Sequence, residues 1–349
     1  MIIFYGVNGE GLGHTSRALS LIEQLPDHEV HIFTYGAALR FLQTLRYPHL
    51  HAIDGLTFSY RRQHVDYFRS LSRAGLFCIS GLARNVMRVE REARRMHPAL
   101  FISDFEPTVA RAARPVGRPL VSVDNQHRFV HCGLADLPWG LRTYARIAGC
   151  ATRLMVPRPD HVVISSFHCP HPPRVSDRIT LTHGLLRQAV EQTATRNDGY
   201  ILAYVRPSIC PSVLRALASV DYPVRVYGAS TDAQHRYLAD SRFRFCPLSP
   251  DFVNDLAQCD RLIASAGHQL ICEAQYFRKP LLAIPEPGQY EQHINAWYVE
   301  QTGLGQQCRA DQLTPERVVS FLNFRPPHAL QAENGVRRVV EVLHQALGG

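Results

Sequence analysis

The sequence has little lysine. Lys279 is the only lysine among 38 basic residues, so arginine supplies nearly all of the formal net charge of +8. Arginine suits phosphate groups, whether on a nucleotide, a lipid headgroup or a nucleic acid. A GC-rich genome also favours arginine over lysine, and we take this explanation as the default. The charge alone therefore identifies no partner.

The sequence also lacks paired cysteines and long apolar runs. Its nine cysteines are an odd number, and none forms a Cys-x-x-Cys motif, so we interpret them as reduced core residues. The first residues, MIIFYGVNGEG, have neither the basic start nor the apolar stretch of a signal peptide. No run approaches the roughly 20 apolar residues that cross a bilayer. We expect a cytoplasmic protein that does not span a membrane.

The 349 residues, of which 46% are hydrophobic, suffice for two α/β domains. Short apolar runs that alternate with amphipathic segments predict two doubly wound parallel sheets. In the first half the predicted strands are MIIFYGV, EVHIFTY, ALFISD, PLVSVDN and HVVISSF; in the second they are YILAYV, PVRVYGA, RFRFCPL, RLIASAG and PLLAIPE. We place one domain at residues 1–185, a linker at 186–197, a second domain at 198–328 and a C-terminal helix at 329–349.

A glycine-rich loop, GEGLGHTSRALSL, follows the first predicted strand. Gly9, Gly11 and Gly13 allow a tight turn before a helix that we expect to begin near Thr15. The spacing misses the dinucleotide fingerprint, which disfavours an NAD site.

His14 belongs to this loop and has two interpretations. At the carboxyl edge of a sheet it can act as a general base, or it can be a helix-capping or core histidine. Asp104 ends the strand ALFISD and can orient His14, but it can equally be a helix N-cap.

The second half contains the most informative segment, SAGHQLICEAQYFRKPLLAIPEPGQYEQHINAWYVEQTGLG. Ser265, Ala266 and Gly267 end a predicted strand before a helix that carries Glu273. A glycine-lined helix N-terminus suits phosphate, and nearby carboxylates and amides suit the hydroxyls of ribose and a hexose.

This segment resembles the donor-binding region of GT-B glycosyltransferases, especially the family of the peptidoglycan enzyme that adds N-acetylglucosamine to the lipid-linked muramyl precursor. GEGLGHTSRAL resembles the first loop of that group, and ISDFEP and VDNQH resemble its uncharacterised bacterial and archaeal relatives. The resemblance covers essentially the whole chain. It implies two Rossmann-like domains facing a cleft, with the last helix packing back on the first domain.

The resemblance also implies roles for individual residues. Glu273 would bind the donor ribose, and Gly267 and His268 would lie near the diphosphate. The transferred sugar would be contacted by Gln289, Glu291 and Gln292, while Asn295 would fix the loop. In YVRPS, which departs from the usual Gly or Ser-rich phosphate loop, Arg206 and Ser208 would supply the missing contacts. From their places after predicted strands of the first domain, we expect Gly11, Gly13, Asn125 and Gln126 on the acceptor side, although loop capping is the alternative for the last two.

Two absent motifs bear on the reaction. The chain has no Asp-x-Asp, the metal-binding motif of the other major glycosyltransferase fold, so we expect no metal and no cofactor. Retaining GT-B enzymes often carry a second glutamate at the position that corresponds to Leu281. Because this chain has leucine there, we expect a reaction that inverts the anomeric configuration. The expected activity is sugar transfer from a nucleoside diphosphate donor, first of all a UDP-sugar, to an unidentified lipid-linked, glycan or small-molecule acceptor. The alternatives are a nucleotide-sugar 2-epimerase and a non-catalytic nucleotide-sugar-binding protein.

Other patterns carry less weight. His127 with His131, and His168 with His171, have spacings that a metal could use, but neither pair has a convincing third ligand. Arginine clusters in YRRQHVDYFRSLSR and RNVMRVEREARRMH can face anionic lipid or belong to solvated helices. Because the sequence does not interleave aromatic and basic residues as nucleic-acid-binding modules do, we expect that the protein does not bind nucleic acid.

Overall fold

The computed structural model describes residues 1–55, 60–61, 64–65, 81–172, 176–249, 251–326 and 332–348. It divides into two compact units. Unit 1 comprises Met1–Arg61, Val65–Gln188 and Asn334–Gly349, and unit 2 comprises Arg62–His64 and Ala189–Glu333. The arginine-rich stretch at residues 60–73 lies almost wholly outside the described residues.

The strands follow the apolar runs of the sequence. They are β1 (Ile2–Val7), β2 (Glu29–Thr34), β3 (Leu50–Ala52), β4 (Tyr60–Arg61), β5 (His64–Val65), β6 (Leu100–Asp104), β7 (Leu120–Asp124), β8 (His161–Ser165), β9 (Ile179–Thr182), β10 (Ile201–Tyr204), β11 (Val224–Tyr227), β12 (Phe243–Cys246), β13 (Arg261–Ala264), β14 (Leu281–Ala283) and β15 (Gly305–Gln307).

The helices occupy most of the segments between strands. They are α1 (Gly13–Ile22), α2 (Gly36–Thr44), α3 (Leu82–Met96), α4 (Pro107–Ala112), α5 (Arg128–His131), α6 (Trp139–Met155), α7 (Gln188–Gln192), α8 (Cys210–Ala218), α9 (Thr231–Tyr237), α10 (Phe252–Gln258), α11 (His268–Tyr276), α12 (Tyr290–Gln301), α13 (Pro315–Asn323) and α14 (Val336–Gly348). In the part of the chain that the structure describes, none of them is long and apolar enough to cross a membrane.

Each unit contains one parallel sheet. The strand order is β3-β2-β1-β6-β7-β8-β9 in unit 1 and β12-β11-β10-β13-β14-β15 in unit 2. In both sheets the chain first builds outward on one side and then crosses to the other, between β1 and β6 and between β10 and β13. Open α/β sheets bind ligands at this reversal, beyond the carboxyl ends of the strands. The predicted doubly wound fold is confirmed.

Helix α14 packs into the core of unit 1. Val336, Val339, Val342 and Leu343 are buried in one apolar cluster with residues of β1 and α1. Gly335 immediately precedes this helix. A Cβ atom at this position would come within 2.3 Å of the His183 carbonyl oxygen, so only glycine fits here. The residues predicted as a linker include α7, and the Gln188 backbone N–H donates to the Glu23 carboxylate at 2.7 Å.

We predict that Leu343→Ala destabilises unit 1 by about 2 to 5 kcal/mol, because the fully buried side chain leaves a cavity in a packed core. Urea unfolding followed by circular dichroism measures the change. Gln345→Ala, at an exposed position of the same helix, is the matched control and should unfold like the original protein. Equal midpoints for both variants would mean that α14 contributes nothing to the stability of unit 1.

Candidate functional site

The reversal in the sheet of unit 1 brings β1 and β6 side by side. The two strands pair in parallel with Val7 opposite Asp104, so the loop after β1 and the end of β6 meet at the carboxyl edge. Gly11 in this loop has a φ of +76°, which favours glycine. Helix α1 then begins at Gly13, two residues before the predicted start, and places His14 in its first turn.

The Asp104 carboxylate is the centre of a three-residue cluster. His14 Nδ1 lies 2.8 Å from Asp104 Oδ1. Arg17 donates from Nε to Oδ2 at 2.8 Å and from Nη2 to Oδ1 at 2.5 Å. Asp104 and Arg17 are buried, and the His14 side chain is 15% exposed. The predicted pairing of His14 with Asp104 is therefore present in the structure.

Arg17 was not predicted, although it lies three residues after His14, on the same face of α1. Burial acts to lower its pKa, but the Asp104 carboxylate outweighs burial and raises it. Arg17 Nη2 also lies 2.8 Å from His14 Nδ1, and a nitrogen cannot accept there while it donates to Asp104. Because the ionised carboxylate is the stronger acceptor, we assign the His14 proton to Nδ1. Nε2 then carries the lone pair.

The alternative role of Asp104, as a helix N-cap, is wrong. Glu106 caps α4 instead, accepting from the backbone N–H groups of Thr108 at 2.8 Å and Val109 at 2.7 Å. Burial raises the pKa of Glu106 to about 6, against the opposing effect of these two hydrogen bonds. Asp104 is thereby left to His14 and Arg17.

The loop after β7 is closed by Asp124. Its carboxylate accepts from the His127 backbone N–H at 2.8 Å and lies 2.7 Å from His127 Nδ1. Burial acts to raise the pKa of Asp124, but the charge and hydrogen bonds of His127 lower it to about 2. Asn125 and Gln126 within this loop are only 1% and 8% exposed. Asp124 therefore caps this loop, and its partner in the cap is His127.

In unit 2 the loops after β10, β13 and β14 meet, because these strands are neighbours in the sheet. Gly267 is the N-cap residue of α11, and neither it nor the N-cap residue of α8, Ile209, provides a side-chain cap. His268 opens α11, and Glu273 follows one turn later, where it accepts from Gln269 Nε2 at 3.2 Å and is 4% exposed. Asn295 donates to the Ala266 carbonyl at 2.9 Å and so holds the loop before α11.

Three of the predicted donor residues converge on Glu286, which was not predicted. Ser208 Oγ donates to Glu286 Oε2 at 2.8 Å, and Arg206 Nε lies 3.5 Å from Oε1. Gln292 donates to Oε1 at 3.0 Å and accepts from the Glu286 backbone N–H at 2.9 Å. The only sequence signal for Glu286 is its place between Pro285 and Pro287, which restrict the backbone.

Gln289 and Glu291 complete the loop after β14. Gly288 has a φ of +81°, and the turn that it allows is closed by a hydrogen bond from the Gln289 backbone N–H to the Glu286 carbonyl at 3.0 Å. Gln289 is the N-cap residue of α12, and Glu291 lies in its first turn. Both are partly exposed.

Comparisons with known proteins agree with this architecture. The chain matches the family described as Glycosyl transferase family 1 over residues 1–326. An uncharacterised glycosyltransferase of Methanosarcina mazei is 24% identical over 353 residues, covering 91% of this chain and 89% of the relative. MurG of Acinetobacter baumannii is 15% identical with a TM-score of 0.63 over 99% of both chains. The glycosyltransferase VinC, in complex with dTDP, is 17% identical with a TM-score of 0.64 over 100% of both chains.

We predict that Arg17→Met destabilises the protein by about 3 to 5 kcal/mol, because it leaves the buried Asp104 carboxylate without its counter-charge. Adding Asp104→Leu should cost less than the sum of the two single changes, which a double-mutant cycle of urea unfolding measures. Arg40→Met, at an exposed arginine of α2, is the control. Strictly additive effects would show that Arg17 and Asp104 do not depend on each other.

Proposed function

Because the chain belongs to glycosyl transferase family 1 and has the GT-B fold, we propose that it transfers a sugar from a nucleoside diphosphate donor to an acceptor hydroxyl, with inversion. The observation that carries this proposal is the cluster of His14, Asp104 and Arg17 at the sheet reversal of unit 1. A histidine oriented by a carboxylate is the arrangement that a general base requires.

His14 acts as the base in this mechanism. With its proton on Nδ1 directed to Asp104, Nε2 is free to take the proton of the acceptor hydroxyl. The acceptor oxygen forms a bond to the anomeric carbon as the bond from that carbon to the diphosphate oxygen breaks. The electron pair of the broken bond leaves with the diphosphate, and the proton stays on His14. Asp104 stabilises the imidazolium ion that results.

Unit 2 binds the donor in this proposal. Gly267, the N-cap residue of α11, makes no side-chain cap hydrogen bond, and the N-terminus of this helix suits the diphosphate. His268 lies at the same helix end. Arg206 adds a positive charge from the loop after β10, and Ser208 donates to the diphosphate once its hydroxyl turns away from Glu286 Oε2. Together these groups stabilise the leaving diphosphate.

The sugar and ribose are bound by side chains of the other two loops. Glu273 accepts from the ribose hydroxyls, as the sequence resemblance implies. Gln289 and Glu291 face the transferred sugar with Gln292, whose amide is held by Glu286. UDP-sugars are the first candidates, and the dTDP bound to VinC supports a pyrimidine nucleoside diphosphate.

We predict that His14→Ala lowers the transfer rate by about 100 to 10,000-fold while the affinity for the donor stays within about twofold. Transfer is measured with UDP-sugars and a panel of hydroxyl acceptors, and donor affinity by calorimetry. Asp104→Asn should give a smaller loss in the same direction. His235→Ala, at an exposed histidine of α9, is the control and should transfer normally. Normal transfer by His14→Ala would assign the base elsewhere.

We predict that Glu273→Ala weakens the binding of UDP and of the UDP-sugar equally, by about 10 to 100-fold, since a hydrogen bond to a charged group is worth about 1.5 to 3 kcal/mol. Gln289→Ala should weaken only the UDP-sugar, because it contacts the sugar alone. Calorimetric titration of both ligands into both variants gives the comparison. If Glu273→Ala binds UDP normally, Glu273 does not hold the ribose.

A further inference from the structure

A cluster of histidines lies on one face of unit 1, on the edge strand β3 and its neighbour β2. The parallel register places Ile32 opposite Leu50 and Phe33 opposite His51. Since side chains alternate along a strand, Glu29 and His31 on β2 share a face with His51 on β3 and with His49 just before it. The mechanism proposed above uses none of these four residues.

Three of them place a ligand atom close to those of the other two. His31 Nε2 lies 2.8 Å from Glu29 Oε1, and His49 Nδ1 lies 3.7 Å from the same oxygen. All three ligand atoms lie within 4.8 Å of one another. Ligands at about 2.0 to 2.2 Å from a tetrahedral zinc ion are separated by roughly 3.3 Å. The two measured pairs differ from this separation by about 0.5 Å or less, and the third pair has to close by no more than about 1.5 Å.

The fourth residue orients the central ligand. His51 Nε2 lies 2.8 Å from His31 Nδ1, so when His31 binds a metal through Nε2, its Nδ1 proton is donated to His51. Metal-binding histidines usually donate their second N–H in this way. The His51 ring stacks on Phe33 with ring centroids 4.6 Å apart, which fixes its plane.

An ion pair alone explains only part of this cluster. A contact between His31 and Glu29 accounts for one short distance, but not for the second imidazole beside the same oxygen. The rings of His31 and His49 lie 4.6 Å apart. A metal cation attracts both neutral rings and the carboxylate at once, so it fits all three groups.

We propose that Glu29, His31 and His49 bind one zinc ion, with water in the fourth position. Two imidazoles and a carboxylate are a ligand set typical of zinc. Glu29 and His31 are held on β2, whereas His49 leads into β3, so the ion joins the edge strand to the body of the sheet.

The site is remote from the His14 cluster. Glu29 begins β2, and Thr34 at its other end donates to the Val7 carbonyl near the carboxyl edge. Five and three residue steps of about 3.3 Å put Glu29 about 16 Å and His31 about 10 Å from that edge. The ion therefore stabilises unit 1 and takes no part in sugar transfer.

The test uses the full chain without a polyhistidine tag, stripped of metal with a chelator and titrated with Zn²⁺ in a calorimeter. The expected result is one equivalent bound and a melting temperature raised by about 5 °C at saturation. His49→Ala and Glu29→Gln, both at partly exposed side chains, should abolish this binding step. His51→Ala should weaken it by about 10 to 100-fold.

His235→Ala on α9 is the matched control for adventitious zinc binding at surface histidines, and it should bind like the original chain. Co²⁺, which takes the same ligands, should give an intense visible band that His49→Ala loses. Zinc that binds equally well to His49→Ala and Glu29→Gln, or that does not bind at all, would overturn the proposal. Sugar transfer is expected to be unchanged in His49→Ala, so this test is independent of the proposed function.

Discussion

The buried carboxylate of Asp104 is the constraint on which the candidate site of unit 1 depends. Its side chain is fully buried, and a charge there is tolerated only with a counter-charge and hydrogen bonds. Arg17 provides both from the same helix that carries His14. The ion pair therefore fixes the start of α1 against the end of β6, and the orientation of His14 follows from it.

A second carboxylate, that of Glu106, caps the next helix. A Cβ atom at Gly6 would lie 2.6 Å from Glu106 Oε2. Because glycine has no side chain, Glu106 can approach β1 at this position. Glu106 then satisfies the first N–H groups of α4, a role that Asp104 would otherwise fill. Its pKa of about 6 reflects the cost of this burial. The two acidic residues of ISDFEP therefore have different structural roles: Asp104 binds His14 and Arg17, and Glu106 caps α4.

Much of the fold could be predicted from the sequence, because buried parallel strands such as IIFYGV and LFISD are continuous apolar runs. The short strands β3 and β15 were not predicted, because a strand of three residues at the edge of a sheet has no continuous apolar run. His14 and Asp104 were found because both stand at strand or helix ends.

Arg17 and Glu286 were missed for a different reason. Burial and pairing decide their roles, and a sequence pattern does not show which charged residue lies inside. An arginine within an amphipathic segment looks solvent-exposed, yet Arg17 is 3% exposed. Glu286 looks like one more loop residue, yet Ser208, Arg206 and Gln292 all reach it from other parts of unit 2.

Two histidine–aspartate pairs of unit 1 lie at the ends of the adjacent strands β6 and β7, and their surroundings distinguish them. At Asp124, His127 is the main group that lowers the pKa of the carboxyl against the effect of burial, and the His127 side chain is only 3% exposed. At Asp104 the counter-charge comes from Arg17, so His14 is not required as a counter-ion. The His14 side chain is also five times more exposed, at 15%. A base must reach a substrate, and between these two pairs the exposure of the histidine favours the one at Asp104.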